Sequence, residues 1–113
     1  MLTAGRPLVL VFAHPGCGPC SVIAGELPRW QQRRAGVLDI AVIGSGGLDD
    51  NRNWADQHGL PWLLVQKTNE VGARYRLRSI PSAVLITPGG RIADPAAIGP
   101  EPVRHLLATA HTV

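Results

Sequence analysis

Leu8-Val9-Leu10-Val11-Phe12-Ala13-His14-Pro15-Gly16-Cys17-Gly18-Pro19-Cys20 is the stretch that decides the fold. Leu8 to Phe12 is continuously apolar and β-prone, which suits a strand buried on both faces, as in a parallel sheet flanked by helices. It is the expected central strand. His14-Pro15-Gly16 then reads as a loop, and Cys17 to Arg34 reads as a helix, with Ile23, Leu27 and Trp30 at i, i+4 and i+7. Pro28 falls inside that helix and is expected to kink it.

Beyond this unit, Leu38 to Ile43 is a second strand, ended by the loop Gly44-Ser45-Gly46-Gly47. That loop lacks the lysine and hydroxyl of a phosphate-binding motif. Asp49 to His58 reads as a helix with an acidic start and a Gly59 stop. Trp62 to Gln66 is a short strand, and Asn69 caps a helix running to about Tyr75. After Ile80-Pro81, a strand over Ala83 to Thr87, the turn Pro88-Gly89-Gly90 and Arg91 to Ala93 read as a hairpin. The last helix covers about Glu101 to Ala110, with Val103, Leu106, Leu107 and Ala110 on one face. The order β-α-β-α-β-α-β-β-α predicts a mixed α/β sheet with helices on both faces.

At 113 residues and 12.0 kDa the chain fits one domain, residues 1–113, and its 45% hydrophobic and 17% charged residues are those of an ordinary globular protein. The net charge of +3 is spread over scattered arginines, with Lys67 the only lysine. The densest basic run, Arg74-Tyr75-Arg76-Leu77-Arg78, lacks the aromatic interleaving of nucleic-acid binders and reads as a solvated face. No nucleic-acid partner is expected. The longest apolar run, Leu8 to Ala13, is too short to cross a bilayer, and Met1 to Arg6 lacks a signal-peptide layout, so membrane insertion by this chain is not expected. Trp30, Trp54 and Trp62 read as core or packing residues, and His58, His105 and His111 as surface residues.

The chemistry sits in Cys17-Gly18-Pro19-Cys20. Two cysteines three apart in a first helical turn share one face, so their sulfurs can close a small disulfide without unfolding anything. Unpaired N–H groups and the helix dipole favour a thiolate there, lowering its pKa from about 8.5 into roughly the 3.5 to 7.5 range. Cys17, at the exposed lip, is therefore the expected nucleophile, and Cys20 the residue that resolves the mixed disulfide. Gly18 and Pro19 shape the turn, and Pro19 lacks an N–H where N–H groups are unpaired anyway. His14 tunes Cys17 through charge or a hydrogen bond, or is simply solvated. No cofactor beyond the two cysteines is required. The alternative is a metal- or partner-binding module using His14, Cys17 and Cys20, although zinc usually takes four ligands and no second cysteine pair exists. A purely structural disulfide would close only a tiny loop and stabilise little.

Cys17-Gly18-Pro19-Cys20, Ile80-Pro81 and the Pro88-Gly89-Gly90-Arg91 hairpin resemble the thioredoxin superfamily, nearest its TlpA-like and MauD-like branch, over nearly the whole chain. The resemblance implies a thioredoxin-like fold, with Asp49 to Gln66 as the TlpA-type helix-strand insertion. It implies a cis Pro81 facing the cysteines, with Ile80 offering backbone groups to an extended substrate segment. It also implies protein thiols and disulfides as partners, a membrane redox partner that regenerates the dithiol, an extracytoplasmic bacterial setting, and a reducing or maturation role. The chain departs from the pattern in four places. Gly16 replaces the usual tryptophan and Val11 a buried aspartate, the place of the glutamate that some TlpA-like reductases carry after the second strand falls near Ser45, and Gly25 stands where the helix-kinking proline usually is. The sequence does not assign the redox direction.

Overall fold

The computed structural model describes residues 5–60, 62–74 and 79–110. Its elements run β1 (Leu8–Ala13), α1 (Gly18–Arg33), β2 (Asp39–Ser45), α2 (Leu48–His58), β3 (Leu63–Gln66), α3 (Glu70–Arg74), β4 (Ser82–Ile86), β5 (Ile92–Ile98) and α4 (Pro100–Thr109). The sheet order is β3-β2-β1-β4-β5, with β1, β2 and β3 parallel and β4 and β5 antiparallel to their neighbours. This is the mixed sheet and element order read from the sequence, with β1 at its centre.

Alternation along β1 explains its unbroken apolar run. Val9, Val11 and Ala13 join Ile40 and Val42 on one face, where Ile23 and Leu27 of α1, Trp54 of α2, and Val103 and Leu107 of α4 pack against them. Leu10 and Phe12 join Ala41, Ile43 and Val84 on the other face, against which Val71 of α3 packs. Helices therefore lie on both faces, unequally.

Several boundaries differ from expectation. Cys17 is the N-cap of α1 rather than its first helical residue. Pro28 lies within α1, which runs on to Arg33, as expected. Gly44 and Ser45 belong to β2, because a Cβ at Gly44 would overlap the Asn51 carboxamide oxygen and only glycine fits there. Trp62 precedes β3 instead of opening it and is 43% exposed, so it is not a packing residue: β3 is an edge strand with little to cover that position. β5 continues to Ile98, well past Ala93. Its pairing with β4 slips between Ala83 and Leu85, and an edge strand tolerates the proline at position 95 that a central strand would not. His58 is half-buried, its ring edge-on to Trp54 with centroids 5.6 Å apart. Positions 75–78, with most of the basic run, and His111 lie outside the described residues.

Two polar devices tie elements together. Asn51, fully buried in α2, donates through Nδ2 to the Ser45 and Gly47 carbonyls at 3.0 and 2.8 Å, which fixes the β2–α2 loop. Arg104 of α4 grips Glu26 of α1 through both oxygens at 2.7 to 3.0 Å. The Arg104 guanidinium, with smaller help from the Trp30 indole N–H, holds the Glu26 carboxyl below its ordinary value of 4.5.

Because the folded pKa of Glu26 lies below its unfolded value, this contribution is fully present above about pH 4.5 and fades as pH falls through the lower folded value. Glu26→Gln is expected to lower the urea midpoint by roughly 0.3 M near pH 7, with the gap to wild type closing in acid. Asn51→Ala removes the side-chain bonds to the Ser45 and Gly47 carbonyls, leaving Gly47 its bond from the backbone N–H of residue 51, and is expected to cost about 1–3 kcal/mol in the same urea assay.

Candidate active site

The chain leaves the buried end of β1, turns through residues 14–16 and enters α1 at Gly18. Cys17 takes an extended conformation (φ −96°, ψ 119°) as N-cap, and its Sγ accepts the Cys20 N–H at 3.2 Å. The sulfur thus does what a Ser or Asp side chain does at most helix starts. Pro19 occupies the first turn without an N–H to leave unpaired, so the Cys20 amide is the one aimed at the sulfur.

Cys17 and Cys20 are joined as a disulfide with Cα atoms 5.2 Å apart, inside the normal span for such a bridge. Cys17 is half-buried, whereas Cys20 is 1% exposed and lies in the apolar cluster beneath α1. A partner can reach only the first sulfur. Val11 joins the same cluster, so the site where the resemblance places an aspartate is filled by a hydrocarbon.

His14 is half-buried and hydrogen-bonded through both ring and backbone. Its Nδ1 accepts the Gly16 N–H at 2.9 Å and its carbonyl accepts the Cys17 N–H at 3.0 Å, so one residue holds both amides that lead into Cys17. Nδ1 therefore carries a lone pair and the ring proton is assigned to Nε2. The Nε2 edge lies against Gly46, where a Cβ would stand 3.2 Å away. Ser45 Oγ reaches back to the Ala13 carbonyl at 3.4 Å.

Behind Cys20, Ser21 Oγ accepts the Trp54 indole N–H at 3.1 Å, which pins α2 to the first turns of α1. Sequence reading missed this tie and the His14 bond, because neither has a spacing signature. Ile80-Pro81 is a cis peptide, and Pro81 leads directly into Ser82, the partner of Phe12 in the β1–β4 ladder. The Pro81 carbonyl accepts the Gly99 N–H at 2.8 Å. Pro81 thus stands at the sheet end from which the cysteine loop departs, beside the exposed Ile80 and Ile98. Among the described residues no group of three or more His, Cys, Asp or Glu is placed to hold a metal ion, and Nδ1 of His14 is already engaged, so the geometry does not favour the metal-binding alternative.

No protein-family model matches the chain. It is 30% identical over 92 residues to the methylamine utilization protein MauD of Methylophilus methylotrophus, a match that takes in 80% of this chain and 42% of MauD. The chain thus spans less than half the length of the MauD relatives it matches. It superposes on a secreted Mycobacterium tuberculosis disulfide oxidoreductase homologous to E. coli DsbE with a TM-score of 0.72 at 21% identity, covering 92% of this chain and 81% of that one. StoA from Bacillus subtilis superposes with a TM-score of 0.76 at 16% identity, over 94% and 83% of the two chains. The structural likeness carries the fold, and the sequence likeness to MauD points to one branch of it: this chain is a thioredoxin-superfamily domain of the MauD- and TlpA-like kind.

Proposed function

We propose that this domain exchanges its Cys17/Cys20 dithiol for disulfides in protein partners, in a reducing or maturation role outside the cytoplasm. The observation that carries the chemistry is the asymmetry of the pair: Cys17 reachable, capping a helix and accepting an N–H, and Cys20 buried directly behind it. The setting rests on the MauD-like and TlpA-like resemblance and on a structural neighbour described as secreted. The same resemblance supports a membrane redox partner that returns the domain to its dithiol form. Among the described residues no helix is long and apolar enough to cross a membrane.

In the reducing direction the Cys17 thiolate attacks a partner disulfide. The partner S–S bond breaks, a Cys17–partner disulfide forms, and the first partner sulfur leaves and takes a proton. Cys20 then loses its proton and attacks the Cys17 sulfur, releasing the second partner thiol. Two electrons and two protons pass from the dithiol to the partner. The helix start stabilises the thiolate through the Cys20 N–H and the dipole. His14 acts as a positioning residue, setting where the Gly16 and Cys17 amides point. Ile80 and cis Pro81 present backbone and an apolar edge to an extended segment of the partner.

Insulin reduction with a chemical reductant as electron source tests this. Cys17→Ser is expected to lose essentially all acceleration. Cys20→Ser is expected to accumulate a covalent Cys17–insulin adduct, visible on a non-reducing gel and absent with Cys17→Ser. Activity retained in Cys17→Ser refutes the assignment.

A further inference from the structure

A cavity of about 410 Å³ opens beside the cysteine loop, between residues 14–16 on one wall and Asp50, Asn53 and Gln57 of α2 on the other. Three features make it more than a surface dent. First, Gly16 lines it without a side chain: a Cβ there would meet the ring of His14, itself part of the lining, at 3.2 Å. Second, its shape is fixed. His14 is held by Gly16, the β2–α2 loop by Asn51, and α2 by the Trp54–Ser21 bond. Third, its charge has one sign. Asp50 is the only carboxylate among the lining residues, no lysine or arginine lines the cavity, and no cation pairs with Asp50 among the described residues. The cavity is an acidic spot on a chain of net charge +3.

Its position matters as much. In the order β3-β2-β1-β4-β5, the cavity lies on the β2 side of the β1 end, and Ile80-Pro81 lies on the β4 side. A partner segment bonded to Cys17 and resting on Pro81 therefore sends its other arm toward the cavity. Three extended residues span about 10 Å, so a side chain within that distance of the partner cysteine reaches the cavity that begins one residue before Cys17.

We propose that this cavity is a specificity subsite that takes a lysine or arginine side chain close to the partner's reactive cysteine, with Asp50 as its counter-ion and Asn53 and Gln57 as further hydrogen-bonding groups. The subsite rests on the exchange reaction proposed above and names the class of partner that reaction prefers.

The test uses three synthetic peptides, each closed by one internal disulfide and identical except for Lys, Gln or Glu two residues from the cysteine attacked. Rates of reduction by the pre-reduced protein are measured at low ionic strength, with hydroxyethyl disulfide as a substrate that has no side chain to place. The wild type is expected to reduce the Lys peptide roughly fivefold faster than the Glu peptide, the size expected of one exposed ion pair set against one repulsion. In Asp50→Asn that ratio falls to about one, and in Asp50→Lys it inverts. Gly16→Trp, which puts a large side chain into the lining, also flattens the ratio. Equal rates for the three peptides in the wild type, or a preference that survives Asp50→Lys, overturn the subsite while leaving the exchange reaction standing. No exchange with any peptide or with hydroxyethyl disulfide overturns the exchange reading and the subsite with it.

Discussion

The Cys17 sulfur accepts the Cys20 N–H at the point where β1 hands over to α1, and the rest of the site is arranged around that contact. A helix start presents amide donors with no partner inside the helix, and here a thiol meets one of them in place of a hydroxyl or carboxylate. A negative sulfur is favoured at that position by the same physics that favours an acidic N-cap. The arrangement needs a rigid strand to aim the loop. β1 supplies it, because its alternate residues are anchored in apolar clusters on both faces of the sheet.

Around the sulfur, each flank is set by a different piece of chain. On the β4 side, cis Pro81 is tied to Gly99 and leads into Ser82, the partner of Phe12. On the β2 side, α2 is fixed by two side-chain hydrogen bonds, Asn51 to the loop before it and Trp54 to Ser21, and by the Trp54 ring buried in the apolar cluster. His14 lies between, holding the approach to Cys17 with one ring nitrogen and facing Gly46 with the other. With Val11 in the apolar cluster instead of a carboxylate, activation of Cys17 falls to groups at the helix start and in the loop. In the exchange proposed above, Cys20 gives up its proton with a hydrocarbon, not a carboxylate, at position 11.

Much of this was legible in the sequence, and the boundary of legibility is physical. The apolar run of β1, the cysteine spacing and the 3.6-residue pattern of α4 are local signals, and the elements they imply are present. Trp62 misled because indole size says packing, whereas exposure depended on β3 being an edge. β5 runs on to Ile98, past the Arg91 to Ala93 read from the sequence, and as an edge strand it accepts the proline at position 95. At Gly44 the glycine signal was read as loop, yet it marks close approach of the Asn51 side chain from a helix later in the chain. The candidate site divides the same way. Cys17 and Cys20 announce themselves by spacing, while the His14–Gly16 and Trp54–Ser21 bonds exist only once the chain has folded.

The claim that the helix start activates Cys17 without a buried carboxylate is tested most directly by the pH dependence of alkylation in the reduced protein. Iodoacetamide rates, with the modified residue identified by mass spectrometry, are expected to show Cys17 reacting first, with a midpoint well below the value of about 8.5 for a free thiol, and Cys20 protected. A midpoint near 8.5, or first modification at Cys20, contradicts the account.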